Sequence, residues 1–398
     1  MEPQIDPAPA VAPGPTRALS PVEMARRIGR TTAALHADAV DRDARFPREA
    51  LSALQEARLL GALVPTRLGG IGCSVSEVAA MCQALAEGCA ATGMIFAMHQ
   101  IQLGCIVRHG LGSPFFVSYL AELSQEQRLV ASVTSEVGVG GSLRTSVAAV
   151  EIRDSGGWLR KQATTVSYGQ EADDLLITAR REKDAAAGDQ VLLLARRRDC
   201  TIERTGGWDT LGMRGTCSPP LTISAAFAPE QILPLPFAEI ASQTMVPLSH
   251  LLWSSCWLGI ATDAVARARA SVQAEARKNP GQTPPAAARF AEVAELLQRM
   301  RANIDGVTLE YERLLDDPEA LTSIGFALRI NQLKVASSEL VVEIVGRALT
   351  LCGIAGYKTG NKLSLGRHLR DAYSAPLMIA NDRILATNAA LLLIHKGA

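Results

Sequence analysis

Apolar residues along this chain keep a helical spacing at both ends and an alternating, strand-like spacing in the middle. Ser20-Pro21 reads as an N-cap with proline in the first turn, opening a helix that is expected to reach Ala44. Phe46-Pro47 interrupts it, and a second helix runs through Leu60. After the loop Gly69-Gly70-Ile71-Gly72, Ser76 is expected to cap an alanine-rich helix. That helix places Val78, Met81, Cys82, Leu85 and Cys89 on one face. From Leu129 the period shortens. Val130–Thr134, Ser146–Arg153, Leu175–Ala179, Val191–Ala195 and Leu221–Ala225 are β-prone runs, separated by turns such as Ser155-Gly156-Gly157 and Ala187-Gly188-Asp189. From Ala241 the helical period returns, predicting helices over 256–277, 284–315, 323–351 and 381–393. The third carries Leu340, Val341, Ile344, Val345 and Ala348 as a stripe.

The pattern predicts a mainly α, α+β chain in three parts: a helical domain over 18–128, a β-domain over 129–240 and a four-helix domain over 241–398. Residues 1–17 form a Pro/Ala segment without period, expected to be a disordered tail. Long helices with few charges on their faces predict a homo-oligomer, a homotetramer or homodimer.

Composition narrows the function. Lysine plus arginine equals aspartate plus glutamate at 40 each, so no long-range field steers the chain onto nucleic acid or an anionic bilayer. The eight cysteines form no C-x-x-C pair and no zinc spacing, which predicts buried, reduced thiols, no metal site and a cytoplasmic protein. The uncharged stretch Val246–Thr262 is short for a membrane span and reads as a buried helix.

Four segments carry chemistry in order: Val133-Thr-Ser-Glu-Val-Gly-Val-Gly-Gly-Ser142, Trp208-Asp-Thr-Leu-Gly-Met-Arg-Gly-Thr-Cys-Ser218, Arg277-Lys-Asn-Pro-Gly281 and Leu351-Cys-Gly-Ile-Ala-Gly-Tyr357. With the helical–β–helical order they resemble the flavin-dependent acyl-CoA dehydrogenase superfamily over nearly the whole chain. The resemblance implies an N-terminal helical domain, a central β-barrel-like domain, a C-terminal four-helix bundle and an FAD cofactor. By the same resemblance Ser135 and Ser167 contact the flavin, Gly140 and Gly141 let backbone approach its ring, and Ser142 faces the substrate thioester. Arg277, Gly353 and Gly356 meet the pyrophosphate, and Arg214 and Thr216 are structural. The implied substrate is an acyl group on CoA or an acyl-carrier protein, and the implied redox partner an electron-transfer protein or a flavin reductase.

One element departs from the family. Counting on from Arg370-Asp371 puts Met378 or Ile379 where the family carries its catalytic glutamate, in Ser374-Ala-Pro-Leu-Met-Ile-Ala380. Some relatives draw the base from the helix that opens the C-terminal domain, but Met245–Ala261 holds no acid and His250 is its only titratable group. Asp382, His250 and His99 remain as candidates, each with a plainer structural role as a helix-terminal acid or a satisfied buried histidine. Three functions follow: an acyl-thioester dehydrogenase with a displaced base, a monooxygenase on the same scaffold using reduced flavin and O2, or a catalytically silent subunit that binds an acyl ligand.

Overall fold

The computed structural model describes residues 18–153, 156–278 and 280–395. The expected tail at 1–17, the turn residue Ser155 and Asn279 of the arginine motif lie outside the described residues.

The N-terminal part contains α1 (Pro21–Ile28), α2 (Ala34–Arg42), α3 (Arg48–Glu56), α4 (Val75–Gly88), α5 (Ala90–His109) and α6 (Pro114–Glu126). Ser20 closes a capping box with Glu23, as its place before Pro21 suggests. Between α1 and α2 one π-helical turn, Gly29–Ala33, replaces α geometry without breaking the rod. Here α1 crosses α4: a Cβ on Gly88 would lie 1.9 Å from the Gly29 carbonyl oxygen, so only glycine permits this approach. The capping serine of α4 is Ser74, paired with Glu77, and not Ser76. Ser76 lies in the first turn, where its hydroxyl and amide both donate to Glu312.

Among the described residues the centre holds seven strands in two sheets. Strands β1 (Val130–Val133), β4 (Asp174–Arg180) and β5 (Gln190–Arg196) form one, with β1 parallel to β4 and β4 antiparallel to β5. Strands β2 (Glu151–Arg153), β3 (Gly156–Ala163), β7 (Leu221–Phe227) and β6 (Cys200–Arg204) form the other, all antiparallel. β5 is buried along its whole length and β4 along almost all of it, because both faces of that sheet are covered. β3 alternates, with Leu159, Lys161 and Ala163 turned inward.

The C-terminal part contains α7 (Phe237–Ile240), α8 (Val246–Lys278), α9 (Ala286–Leu314), α10 (Pro318–Thr322), α11 (Ile324–Tyr357), α12 (Gly366–Ala372), α13 (Ser374–Leu377) and α14 (Asn381–Leu392). α8 begins ten residues before the expected start, because Pro247 sits in its first turn, where proline costs no hydrogen bond. It packs against α4, α9 and α11 and is the axis of the molecule. α11 runs on to Tyr357, with Gly353 at φ +59° and ψ −144° kinking it. The expected strand over 146–153 shortens to β2, and β3, which no expected run covered, spans Gly156–Ala163. All eight cysteines are free thiols.

Among the described residues two helices, α5 and α11, are long and apolar enough to cross a membrane by length and composition. α5 is core, with 89% of its apolar window buried; α11 buries 33% of its own and leaves an apolar face uncovered.

Candidate functional site

The glycine-rich segment after β1 is held at its base by a buried ion pair. Lys161 of β3 is fully buried and donates to the Thr178 carbonyl at 2.7 Å and to its hydroxyl at 2.9 Å. The Glu136 carboxylate stands 3.4 Å away, and its other oxygen accepts the Ala148 amide at 2.5 Å. Burial pulls the Lys161 ammonium down to about 8, and the nearby carboxylate opposes that shift. Beyond this anchor the chain turns through Gly138, Gly140 and Gly141 at φ +92°, +58° and +77°. A Cβ on Gly140 would meet nothing within 4 Å, so this backbone borders open space.

Ser135 lies beside Thr165. Its hydroxyl donates to the Thr165 carbonyl at 2.7 Å and accepts the Thr165 amide at 3.1 Å. Ser167, two residues on, accepts from the Ser218 hydroxyl at 2.9 Å, and Ser218 in turn contacts the Thr216 hydroxyl at 2.9 Å. Ser135 is thus fixed to the backbone of residue 165, and Ser167, two residues on, is tied to the 212–218 motif through Ser218. Ser142 faces back along the loop and accepts the Arg144 amide at 3.2 Å.

The same motif fastens to the C-terminal helices. Fully buried Asp371 of α12 accepts the Met213 amide at 2.6 Å, and burial raises its carboxyl to about 6 against the opposing charge of Arg367. Arg214 donates to the Asp41 carbonyl at 2.8 Å, and Arg370 pairs with the Asp41 carboxylate. Three distant stretches thus meet at Asp41, Met213 and Asp371.

The loop reached by counting on from Arg370-Asp371 follows α13. Met378 packs against the core, and Ile379 adopts φ +50° with its side chain 42% exposed. A β-branched residue in left-handed backbone carries strain of about 1–2 kcal/mol. Lys334 of α11, fully buried, donates to the Ile379 carbonyl at 3.0 Å and to Asn381 Oδ1 at 2.7 Å. Asn381 Nδ2 donates to Ser338 at 3.0 Å. One residue pair further along α14, Arg383 donates to the Gly140 carbonyl at 2.6 Å, joining this loop to the glycine turn. Among the described residues no carboxylate forms an ion pair with Lys334. Burial lowers its ammonium to about 8.

The three candidate bases occupy different settings. His99 is fully buried with both ring nitrogens used: Nε2 donates to the Leu60 carbonyl at 2.9 Å and Nδ1 accepts the Val130 amide at 3.0 Å. Those partners require one neutral tautomer, and burial lowers its pKa to about 4. It ties α5 to β1. His250 donates from Nδ1 to the Ile330 carbonyl at 3.2 Å, and burial, aided by the charge on Lys334, also lowers it to about 4. Asp382 is exposed in the first turn of α14, where a carboxylate complements the helix dipole.

Arg277 is exposed at the end of α8, roughly 40 Å along the helix from His250 at 1.5 Å per residue. Gly353 is exposed and Gly356 buried at the end of α11, where Ser271 of α8 donates to the Leu351 carbonyl at 3.3 Å. These three residues share one end of the helical bundle. Within one chain they lie apart from the loop at Ile379. Lys334, Ser338, Asn381 and Arg383 were not expected from sequence. The available signal was Lys334 itself, the lone cation within the apolar run Leu333–Val335.

Known proteins agree with this architecture. The acyl-CoA dehydrogenase N-terminal domain matches residues 19–112 and the acyl-CoA dehydrogenase C-terminal domain matches residues 248–380. The chain belongs to the acyl-CoA dehydrogenase superfamily. It is a flavoprotein oxidoreductase by family. Among curated relatives, L-evernosamine nitrososynthase of Micromonospora sp. is 27% identical across 86% of this chain and 83% of its own. The 3-sulfinopropanoyl-CoA desulfinase of Paraburkholderia xenovorans is 33% identical, but over 22% of this chain and 23% of its own. Among solved structures, the FMN-bound dibenzothiophene monooxygenase TdsC of Paenibacillus sp. A11-2 has a TM-score of 0.82 at 20% identity, covering 95% of this chain and 98% of that one.

Proposed function

We propose that this protein is a flavin-dependent monooxygenase on the acyl-CoA dehydrogenase scaffold, inserting one oxygen atom from O2 into a small organic substrate. The observation that carries the reading is the pair Met378-Ile379, two apolar side chains on the loop where counting from Arg370-Asp371 puts the family's carboxylate. Dehydrogenation starts with loss of an α-proton, and a site without a poised base forfeits orders of magnitude in rate. Oxygen transfer to a nucleophilic nitrogen, sulfur or carbon needs no such base. The nitrososynthase and TdsC likenesses support the same reading. His99 and His250 are neutral, buried and bound to backbone, so neither stands ready as a substitute base.

Bound flavin supplies electrons and activates O2; the residues of this chain hold it and keep the site dry. The residues present fit such a group. The glycine turn is open at Gly140, which admits a planar ring edge, while Gly141 backs onto the Arg383 guanidinium; the Ser135 and Ser167 hydroxyls suit the polar edge of such a ring. Arg277, Gly353 and Gly356 suit the pyrophosphate of FAD, reached in a neighbouring copy, since one chain holds them far from the glycine turn. The uncovered apolar face of α11, with Leu377 and Leu393 mostly exposed, supports a homo-oligomer. Reduced flavin from a reductase is the electron source this reading requires.

The test is to supply purified protein with a flavin reductase, NADH and O2 and to score oxygenated product from amine, thioether and heteroaromatic panels. In parallel, acyl-CoAs are added anaerobically to the flavin-loaded protein. Oxygen-dependent product with no bleaching by acyl-CoA is the expected result. Bleaching of the flavin band by an acyl-CoA would overturn the reading in favour of an acyl-thioester dehydrogenase with a displaced base.

A further inference from the structure

The loop at Ile379 adopts its shape against a local preference, and the residues that hold it there are buried beneath it. Ile379 sits at φ +50°, a region that β-branched side chains avoid because Cβ crowds the backbone. Directly below, Lys334 and Ser338 lie one turn apart on α11, both buried. Lys334 takes the Ile379 carbonyl at 3.0 Å and Asn381 Oδ1 at 2.7 Å; Ser338 takes Asn381 Nδ2 at 3.0 Å. One helical face thus grips the segment on both sides of Ala380. The Trp257 ring lies 5.8 Å from the ammonium, so the third side of the cation faces an aromatic surface and not a carboxylate.

A charge-assisted donor is the strongest hydrogen-bonding group available to an uncharged carbonyl, and a buried lysine is a costly way to provide it. Only a contact that needs that strength justifies the choice. The left-handed turn at Ile379, which costs a β-branched residue about 1–2 kcal/mol, is such a contact.

We propose that Lys334 is a positioning residue that fixes the wall of the site: by holding residue 379 left-handed it presents an aliphatic side chain where relatives present a carboxylate. The proposal rests on the monooxygenase reading for what the wall faces, and names its consequence: the substrate turns an uncharged, apolar surface toward Ile379. Asn381 and Ser338 complete the grip. Arg383 transmits it to the glycine turn through the Gly140 carbonyl.

The test is a cycle of Lys334→Met, Ile379→Gly and the double variant, read on flavin-loaded full-length protein without turnover. Glycine adopts the left-handed turn unaided, so the clamp becomes unnecessary there. Lys334→Met alone is expected to speed amide exchange in the 378–383 peptide at least tenfold and to shift the visible band of the bound flavin. The 161–178 peptide stays unchanged. In the Ile379→Gly background both effects shrink below threefold. Equal effects in the two backgrounds, or an unmoved flavin band in Lys334→Met, would overturn the proposal. If Lys334→Met does not fold, Asn381→Ala removes the other arm of the grip and must reproduce the local exchange and the band shift; no change in either sinks the idea. All of these readings precede any oxygen chemistry, so a failed monooxygenase reading appears separately, as absence of oxygenated product from the unaltered protein.

Discussion

Two buried lysines support the two halves of this site by opposite means. Lys161, under the glycine turn, has Glu136 at 3.4 Å as its counter-charge. Lys334, under the Ile379 loop, has only a carbonyl, an amide oxygen and an indole face. Burial lowers both to about 8. A paired cation makes its surroundings depend on the partner, whereas Lys334, with Glu339 acting only from a distance, bears most of its own desolvation. The first arrangement secures the glycine turn; the second secures the left-handed turn at Ile379.

The largest expected effect breaks the paired half. Glu136→Ala leaves the Lys161 ammonium without a counter-charge and the Ala148 amide without its acceptor. Removing one member of a buried pair costs about 3–5 kcal/mol, so urea denaturation should show a loss on that scale, together with loss of bound flavin. A stability change near zero would show that Lys161 is satisfied by Thr178 alone.

Lys334→Met should behave differently in the same assay. It forfeits charge-assisted hydrogen bonds but also removes an unpaired buried charge, and these terms oppose, leaving a net change of about 1 kcal/mol or less. A loss as large as that for Glu136→Ala would erase the distinction between the two lysines.

Alkaline pH sharpens it. The folded-state pKa of Lys334 lies below the ordinary lysine value of 10.5. Between pH 8 and 10 the unfolded chain therefore keeps a proton that the folded one has released, and stability from this group rises with pH. Buried thiols and tyrosines contribute slopes of their own, but these cancel between two variants. The difference in urea midpoint between wild type and Lys334→Met should move in favour of the wild type from pH 7.5 to 9.5. A flat difference would place the ammonium near its ordinary value.

The smallest stability effect belongs to a third cation, exposed Arg277. Arg277→Ala should change unfolding free energy by less than about 0.5 kcal/mol, yet weaken FAD retention about tenfold, measured by flavin release on dilution. Unchanged retention would detach Arg277 from the cofactor.

Much of this was legible in the chain. The order of helical, β and helical parts follows from period alone, and Ser20 with Glu23 marks its cap openly. Ser74 was overlooked for Ser76 because both precede the same apolar run, and only the Glu77 side chain decides between them. β6 was missed because Thr201, Glu203 and Arg204 face solvent and dilute its apolar signal. The glycine turn announced itself by composition. Lys334 did not, since its partner Ile379 lies 45 residues on and a lone lysine in an apolar stripe reads as a solvated edge.

The bond from Arg383 to Gly140 spans 243 residues, and that from Asp371 to Met213 spans 158. A ribosome delivers the glycine turn well before it delivers α12 or α14. Until the final helix leaves the exit tunnel, the turn lacks the guanidinium that closes it, and the 212–218 motif lacks its acid. A chain cut short before Arg383 would keep the sequence of every strand from β1 to β7 yet lack the guanidinium that holds the Gly140 carbonyl, so the β-domain and the shape of its glycine turn are specified by parts of the chain made far apart in time.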